Sequence, residues 1–237
     1  MPTSPAAFWV VVPAAGYGQR MGADLPKQYL PLAGKPVMRW TIDALLAHPR
    51  IAGVMLSVAA EDTRWKDCVP RDAGARVRSV TGGAQRAESV EAGLLALGKE
   101  VTAESWVLVH DAVRPCVHPN DIERLVDGLA GDEVGGLLAA ASADTMKQVD
   151  LDNRVAATLD RRQVWRALTP QMFRFATLCQ AYAHAREADR VPTDESAAIE
   201  ALGLKPKLII GRADNVKITQ PEDLSFAEAV LRARGAL

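Results

Sequence analysis

The sequence predicts an α/β protein built on a doubly wound, mostly parallel sheet flanked by helices. Two observations carry this prediction. Short β-branched apolar runs alternate with longer stretches of helical spacing. The first run, at residues 8–13, is apolar without alternation, which is typical of a parallel strand buried on both faces. A length of 237 residues suits one hydrophobic core, so we expect a single domain over residues 1–237.

The elements follow one another in the order that such a Rossmann-like sheet requires. Strands are predicted at residues 8–13, 54–58, 77–80, 106–110, 137–141 and 208–210. Helices are predicted at residues 37–47, 84–97, 119–129 and 173–185. Ligands of these sheets bind at the carboxyl ends of the strands, so we expect the functional residues in the loops that follow the strands.

One segment breaks the alternation. Residues 145–150 and 154–160 read as two strands around the turn residues Leu151, Asp152 and Asn153. We therefore predict a projecting β-hairpin arm at about residues 144–166. An isolated hairpin is marginally stable in water, so the arm should pack on something, and a second subunit is one possibility.

Composition excludes several classes of function. The net charge is −1 with no block of like charges, which does not fit a nucleic-acid-binding surface. The apolar run at residues 8–17 is too short to cross a bilayer and no charged leader precedes it, so we expect a cytoplasmic protein without a membrane partner.

Cysteines and histidines give no metal or disulfide pattern. The three cysteines are far apart without C-x-x-C spacing, and the four histidines lack H-E-x-x-H spacing. Any metal should therefore have oxygen ligands.

The loop after the first strand, Pro13-Ala-Ala-Gly-Tyr-Gly-Gln-Arg-Met-Gly22, consists mainly of small residues. Such a loop lets backbone N–H groups approach a phosphate closely. Met21 stands where the dinucleotide fingerprint needs a glycine, and the Gly-Lys-Ser/Thr of a Walker A loop is absent. Lys27 follows closely enough to fold back toward a triphosphate, although a tight turn and a solvated lysine are the simpler alternatives.

Two further loops follow predicted strands. Gly82 and Gly83 lead into a helix with Ser89 in its first turns, where fixed backbone donors and acceptors can distinguish cytosine from uracil. A plain helix cap is the alternative. Asp111 and Arg114 follow the strand at 106–110 and suit metal and phosphate, or form a structural ion pair.

Late in the chain, polar residues lie beside apolar runs at Thr169, at Thr193 and Asp194, and at Lys217. Thr193 and Asp194 are suited to cap a helix, and that role alone would explain them. Lys217 lies in strand-like surroundings, where a lysine is drawn toward a partner anion or extends past apolar neighbours to water.

Together these motifs resemble the 2-C-methyl-D-erythritol 4-phosphate cytidylyltransferase family of the non-mevalonate isoprenoid pathway. The resemblance runs almost end to end and rests on eight ordered blocks. They are Pro13-Ala-Ala-Gly-x-Gly-x-Arg-Met, Pro26-Lys-Gln-Tyr, Gly82-Gly-Ala-x-Arg-x-x-Ser-Val, Val109-His-Asp-Ala-x-Arg-Pro, Asp144-Thr-Met-Lys, Ala167-Leu-Thr-Pro-Gln, Thr193-Asp-Glu and Arg212-Ala-Asp-Asn-x-Lys-x-Thr.

The resemblance implies a role for each matching residue. Catalytic residues around the triphosphate would be Arg20, Lys27 and Lys217. Residues binding CTP would be Ala14, Ala15, Gly16, Gly83, Ser89 and Asp111. Residues binding the sugar phosphate would be Asp111, Arg114, Thr169 and Thr193, with Thr145 and Arg161 supplied by the partner subunit of a homodimer. Asp111 is a possible ligand of Mg²⁺ or another divalent cation, and no direct protein ligand is otherwise indicated.

Two positions depart from the family pattern, namely Ala84, where some members carry Asp, and Val113, where many carry Ala. Neither change removes a reacting group. The chain ends soon after the last block, so we expect one activity, without the cyclodiphosphate synthase domain that is fused to some relatives.

The implied reaction is in-line attack by the substrate phosphate on the α-phosphorus of CTP, which releases pyrophosphate. The attacking phosphate is already anionic at neutral pH, so neither a protein nucleophile nor a general base is expected. Two alternatives stay open at this point: a related enzyme acting on ribitol 5-phosphate, and a nucleotide-sensing protein that keeps the fold without the chemistry.

Overall fold

The computed structural model describes residues 7–16 and 25–237. Its strands are β1 (Phe8–Pro13), β2 (Pro31–Leu32), β3 (Lys35–Pro36), β4 (Ile51–Val58), β5 (Val77–Thr81), β6 (Trp106–Val109), β7 (Gly135–Ala141), β8 (Lys147–Val149), β9 (Val155–Thr158), β10 (Trp165–Arg174) and β11 (Lys207–Ile210). Its α-helices are α1 (Val37–Leu46), α2 (Arg86–Leu97), α3 (Pro119–Leu129), α4 (Phe175–Glu187), α5 (Glu195–Ala201) and α6 (Glu222–Ala233).

Seven strands form the main sheet, in the order β11-β7-β10-β6-β1-β4-β5. Strand β10 is antiparallel to both of its neighbours, and every other pairing in this sheet is parallel. The predicted mostly parallel, doubly wound architecture is confirmed.

Both faces of the sheet are covered, as the unbroken apolar runs predict. Along β1, Val10 and Val12 belong to a core cluster that includes residues of α1 and α3, whereas Val11 belongs to a second cluster with residues of α2, α4 and α5. This division follows from the two-residue period of a strand, which points successive side chains to opposite faces.

A third cluster joins the C-terminal helix to the body of the protein. Residues of α6, among them Ala227 and Leu231, pack with Trp40 of α1 and with Val113 and Ile218. The Ile218 N–H donates to the Val113 carbonyl at 2.9 Å. The segment before α6 therefore lies against the loop that follows β6.

Three expectations about the late elements need correction. The helix predicted at 173–185 begins at Phe175, because residues 173 and 174 end β10, a strand that the sequence did not predict. Helix α6 was also not predicted. Lys217 lies in an irregular segment rather than in a strand.

The predicted hairpin is confirmed as the antiparallel pair β8 and β9, with Lys147 opposite Thr158. The turn is held by the Asp150 carboxylate, whose Oδ1 accepts from the N–H groups of Asp152 and Arg154. Every residue of the two strands is exposed. Apolar side chains on the arm are accordingly exposed to solvent, with Leu151 at the tip as the extreme case.

The remaining fold-level expectations concern membranes and cysteines. Over residues 7–16 and 25–237, no helix combines the length and apolarity needed to cross a bilayer. Cys68 and Cys116 are buried, Cys179 is half-buried, and all three are thiols. Burial raises the pKa of each thiol to about 11, so they act as small apolar side chains.

Candidate active site

The carboxyl ends of β1, β4, β5 and β6 lie together at one edge of the sheet. Backbone bonds tie the loops there, since the Ala14 N–H donates to the Ser57 carbonyl at 2.7 Å and the His110 N–H to the Val11 carbonyl at 2.9 Å. The Gly82 N–H donates to the Val58 carbonyl at 2.8 Å. The three loops that the sequence marks as functional are thus adjacent.

A buried glutamine, Gln28, holds the first loop by hydrogen bonds to its backbone. The Gln28 amide donates to the carbonyls of Ala14 at 2.8 Å and Gly16 at 3.1 Å. Gln28 lies in the short 3₁₀ turn that also contains Lys27, so the same turn places that lysine beside the loop. The predicted catalytic residue Arg20 lies outside the described residues.

The second loop packs against the first through a glycine. A Cβ atom at Gly82 would lie 2.8 Å from Ser89 Oγ and 2.9 Å from Ala15 Cβ, so no larger residue fits there. Ser89 is buried, and its hydroxyl lies 3.3 Å from the Gly83 carbonyl and 3.1 Å from the Gln85 carbonyl. Gln85 and Glu88 form a reciprocal cap at the start of α2.

The third loop carries Asp111, whose carboxylate contacts three cations. Its Oδ1 accepts from Arg86 Nε at 3.0 Å, while its Oδ2 lies 3.3 Å from Arg114 Nε and 2.9 Å from Lys217 Nζ. The Asp111 side chain is 8% exposed and that of Lys217 is 37% exposed. The Asp111–Arg114 pair that we considered as an alternative does form, within a larger network.

Burial alone would raise the pKa of Asp111, but Arg86, Lys217 and Arg114 outweigh it and hold that pKa well below its usual range. Burial likewise opposes the charge on Arg86, and the neighbouring Glu195 and Asp111 nevertheless raise the pKa of its guanidinium. Asp111 and Arg86 are therefore both charged at neutral pH, with Asp111 as the central anion of the network.

Behind Asp111 lies a chain of neutral hydrogen bonds. His110 Nε2 lies 3.1 Å from the Arg114 carbonyl, which only accepts, so this nitrogen carries the proton. The Thr169 hydroxyl then donates to His110 Nδ1 at 2.9 Å and accepts from the Asp111 N–H at 3.1 Å. Burial lowers the pKa of His110 to about 4, which keeps the imidazole neutral.

These loops enclose a cavity of about 160 Å³. Its described lining consists of Pro13, Ala14, Ala15, Gly16, Lys27, Gln28, Ala84, Gln85, Arg86, Ser89, Asp111, Ala112, Val113 and Lys217. Ala84 and Val113, the two departures from the family pattern, both line it. Arg114 and Thr169 support the cavity from behind through Asp111.

Five predicted substrate-binding residues do not line this cavity: Arg114 and Thr169 lie behind it, and Thr145, Arg161 and Thr193 lie elsewhere. The predicted CTP-binding residue Gly83 is not part of the described lining either. Thr145 and Arg161 are exposed on the arm, where Arg161 Nη1 donates to the Ala143 carbonyl at 3.2 Å. Thr193 is exposed ahead of α5. The cap of α5 is Asp194 rather than Thr193, because Asp194 Oδ1 accepts from the Ala197 N–H at 2.9 Å.

Three residues of the network, Arg86, Glu195 and Tyr182, were missed by the sequence reasoning. Arg86 donates to both carboxylate oxygens of Glu195, at 2.7 and 3.2 Å, and the Tyr182 hydroxyl donates to Glu195 Oε1 at 2.9 Å. Arg86 does lie within the glycine motif at 82–90, which is a signal that was available. Glu195 is 109 positions away, so only the fold reveals the pair.

The described residues do not form a built metal site. Within residues 7–16 and 25–237, no group of three or more His, Cys, Asp or Glu side chains is placed to hold an ion. Among the described lining residues, Asp111 is the one carboxylate, and both of its oxygens already accept from cationic side chains. The donors therefore do not fit a protein-ligated divalent cation as they stand.

A doubly wound sheet with a small-residue loop and a lysine- and arginine-lined cavity at the carboxyl ends of its strands is typical of nucleotide-binding α/β proteins. Comparison with known proteins gives the particular family. The sequence profile of IspD, 2-C-methyl-D-erythritol 4-phosphate cytidylyltransferase, matches residues 8–233. The chain belongs to this family, whose members transfer a cytidylyl group from CTP to 2-C-methyl-D-erythritol 4-phosphate.

Individual relatives agree with the family match. The chain is 51% identical over 221 residues to the 2-C-methyl-D-erythritol 4-phosphate cytidylyltransferase of Pseudomonas aeruginosa (strain UCBPP-PA14), covering 92% of this chain and 93% of the relative. It is similar to the crystal structure of the Francisella tularensis enzyme of that name, with 31% identity and a TM-score of 0.81, covering 95% of this chain and all of the other.

A third comparison concerns a longer protein. The bifunctional IspDF of Campylobacter jejuni is 25% identical with a TM-score of 0.73, and the match covers 93% of this chain but 54% of that one. This chain therefore corresponds to part of the bifunctional protein.

Proposed function

We propose that the cavity at the sheet edge is where this cytidylyltransferase joins CTP to 2-C-methyl-D-erythritol 4-phosphate. The observation that carries the proposal is Asp111 with its three cations beside the small-residue loop of β1. Such a site offers backbone groups for a nucleotide and mobile positive charge for phosphates.

Each side of the cavity would bind a different part of the substrates. Ala14, Ala15 and Gly16 would face the nucleotide with backbone groups, and the α2 cap with Gly83 and Ser89 would read the cytosine edge. Lys27 and Lys217 line the cavity and would contact the triphosphate, together with Arg20. Arg114 and Thr169 contact Asp111 and would orient it toward the sugar phosphate. Thr193 would bind the sugar phosphate beside Asp111.

The chemistry requires two anions to meet. Repulsion between unit charges ~4 Å apart is about 4 kcal/mol at a protein-surface dielectric. Lysine and arginine side chains would offset this repulsion and stabilise the charge that builds on the α-phosphate during in-line attack. The new bond joins a substrate phosphate oxygen to the α-phosphorus, and the bond to the β-phosphate oxygen breaks to release pyrophosphate.

A divalent cation such as Mg²⁺ is part of the proposal as a companion of the nucleotide. Because the protein donors alone do not form its site, its ligands would be mainly phosphate oxygens and water. When bound it would add positive charge to the triphosphate. The protein's own contribution is the positioning of both substrates by the residues named above.

We also propose a cytoplasmic homodimer in which the arm completes the partner's site. The exposed apolar residues Val149, Leu151 and Val155 support this arrangement, because contact with a second subunit would bury them. Thr145 and Arg161 would then lie near the partner's cavity.

Subunit complementation tests the arrangement. Lys27→Ala and Arg161→Ala chains should each be inactive alone, and mixing them after dissociation should restore activity. Random pairing leaves about a quarter of the sites with neither defect, so about a quarter of the wild-type rate is expected. No recovery from a mixture of well-folded dimers would exclude a shared site.

Isotope transfer tests the bond that forms. The non-bridging phosphate oxygens of 2-C-methyl-D-erythritol 4-phosphate are labelled with ¹⁸O, and the masses of the products are measured by mass spectrometry. The proposal predicts that all label stays in the cytidine diphosphate product. Label in the released pyrophosphate would contradict attack on the α-phosphorus.

A further inference from the structure

Arg86 lies between the catalytic cavity and a buried acid on α5. Its Nε donates to Asp111, and its other two nitrogens donate to the two oxygens of Glu195. The Arg86 side chain is 27% exposed and lines the cavity, while the Glu195 side chain is 0% exposed. One guanidinium therefore spans two carboxylates, using the fixed geometry that distinguishes arginine from lysine.

The Glu195 side of this bridge is rigid. The bond from the Tyr182 hydroxyl adds to the two bonds from Arg86, so three donors hold the Glu195 carboxylate. Glu195 itself begins α5, directly after the Asp194 cap, which fixes its backbone. Glu195 therefore fixes the orientation of the Arg86 guanidinium, and this orientation directs its Nε–H toward Asp111.

The three cations that contact Asp111 differ in how exposed they are and how freely they can move. Arg114 is buried and also donates to the Asn215 carbonyl at 2.7 Å, so it is held in place. Lys217 is the most exposed of the three and has a flexible stem, so it is the cation able to move to a phosphate. When it moves, Asp111 keeps Arg86 on Oδ1 and Arg114 on Oδ2.

We propose that Arg86 is a positioning residue, which fixes the Asp111 carboxylate and neutralises it so that Lys217 can leave Asp111 for the substrate phosphates. Without Arg86, Asp111 would hold Lys217 more strongly and would also be free to rotate. The inference rests on the proposed function, since it assigns Arg86 a part in the same reaction.

Arg86→Met alone cannot separate this role from a structural one. Arg86→Met would leave Glu195 buried and unpaired, so we expect its melting temperature to fall by about 10 °C whatever the role. The double variant Arg86→Met with Glu195→Gln removes both charges. Replacing a whole buried pair is often close to neutral for stability, so its melting temperature should return toward the wild-type value.

The double variant distinguishes the two roles. The proposal predicts kcat lower by about 10- to 100-fold, because misplacing a catalytic group costs of that order. The KM for CTP should stay within about threefold, because the binding groups remain. Recovery of wild-type kcat together with the melting temperature would overturn the proposal, since Arg86 would then serve only to neutralise Glu195.

Two further variants keep the test decisive. Arg86→Lys retains the charge but lacks the planar fork whose three nitrogens reach Asp111 and both oxygens of Glu195. We therefore expect kcat to fall in a protein that stays folded, and wild-type kcat would overturn the proposal. Arg50→Met is the matched control: Arg50 pairs with Glu123 and Asp127 at 3.1 Å in each case, away from the cavity, and its loss should leave kcat unchanged.

The wild-type protein is assayed in parallel for pyrophosphate release from CTP and 2-C-methyl-D-erythritol 4-phosphate. Absence of release from the wild type would contradict the proposed function. Wild-type turnover with unchanged kcat in the Arg86 variants would contradict the positioning role alone.

Discussion

Replacing Asp111 with asparagine should destabilise the protein much more than the same substitution at an exposed aspartate. The change keeps the shape but removes the anion that Arg86, Arg114 and Lys217 contact within 3.3 Å. The amide N–H₂ would also face a cation where an oxygen now accepts. Removing one partner of a buried charge pair costs about 3–5 kcal/mol, which we expect here because two of the three cations stay largely buried.

Urea unfolding at neutral pH measures this loss directly. The matched control is Asp127→Asn, whose side chain is 66% exposed and pairs with Arg50, and it should change the free energy of unfolding by less than about 1 kcal/mol. The pKa of Asp111 is depressed in the folded state, so its contribution is complete above the unfolded pKa of about 4 and is lost as pH falls through the folded pKa.

The difference between wild type and Asp111→Asn should therefore be constant from about pH 8 to pH 5 and shrink in stronger acid. Equal stability of the two proteins at neutral pH would contradict the role of Asp111 as the anion that holds these cations. So would a loss no larger than that of the Asp127→Asn control.

Three other predictions concern the same region. Lys27→Ala should lower kcat more than it weakens CTP binding, as pyrophosphate release and calorimetry would measure, and weaker binding with unchanged kcat would contradict a role in the transition state. Thr169→Val should cost about 1–3 kcal/mol in urea unfolding, because it leaves the Asp111 N–H and His110 Nδ1 without their partner; Thr158→Val on the exposed arm is its control. The pKa of His110 is about 4 in the folded state and about 6.5 in the unfolded state. Between these pH values the imidazole is protonated in the unfolded state and neutral in the folded state. The free energy of unfolding should therefore fall by about 3 kcal/mol as pH drops through this window. His110→Gln should reduce that fall, and an unchanged pH dependence would contradict the assignment.

Much of the fold follows from local pattern. The unbroken apolar run of β1 predicted a strand buried on both faces, and its side chains do divide between two core clusters. The arm was predictable because an Asp/Asn turn separates its two strands, and Asp150 holds that turn.

The missed elements have physical reasons. Strand β10 contains Pro170 and mixes polar with apolar residues, and proline is normally evidence against a strand interior. Its hydrogen bonds are interrupted between Ala167 and Gln171, where the pairing with β7 is irregular, so the proline costs no regular ladder bond. Helix α6 packs with Trp40 and Val113, partners that are distant in sequence, and tertiary contacts of this kind do not show in local pattern.

The same limit applies to the site. Loop positions at strand ends could be predicted from topology, and Asp111, Lys27 and Lys217 do line one cavity. The Arg86–Glu195 pair depends on α4 packing against both α2 and α5, which no short motif encodes. The choice of Asp194 over Thr193 as helix cap was likewise ambiguous, because both side chains offer an oxygen at adjacent positions.

Pyrophosphate release by the purified wild-type protein with CTP, Mg²⁺ and 2-C-methyl-D-erythritol 4-phosphate tests the proposed reaction most directly. UTP, ATP and ribitol 5-phosphate are run in parallel. We expect release with the first mixture and little when the nucleotide or the acceptor is replaced. Equal or faster release with ribitol 5-phosphate, or CTP binding without any release, would contradict the proposed reaction.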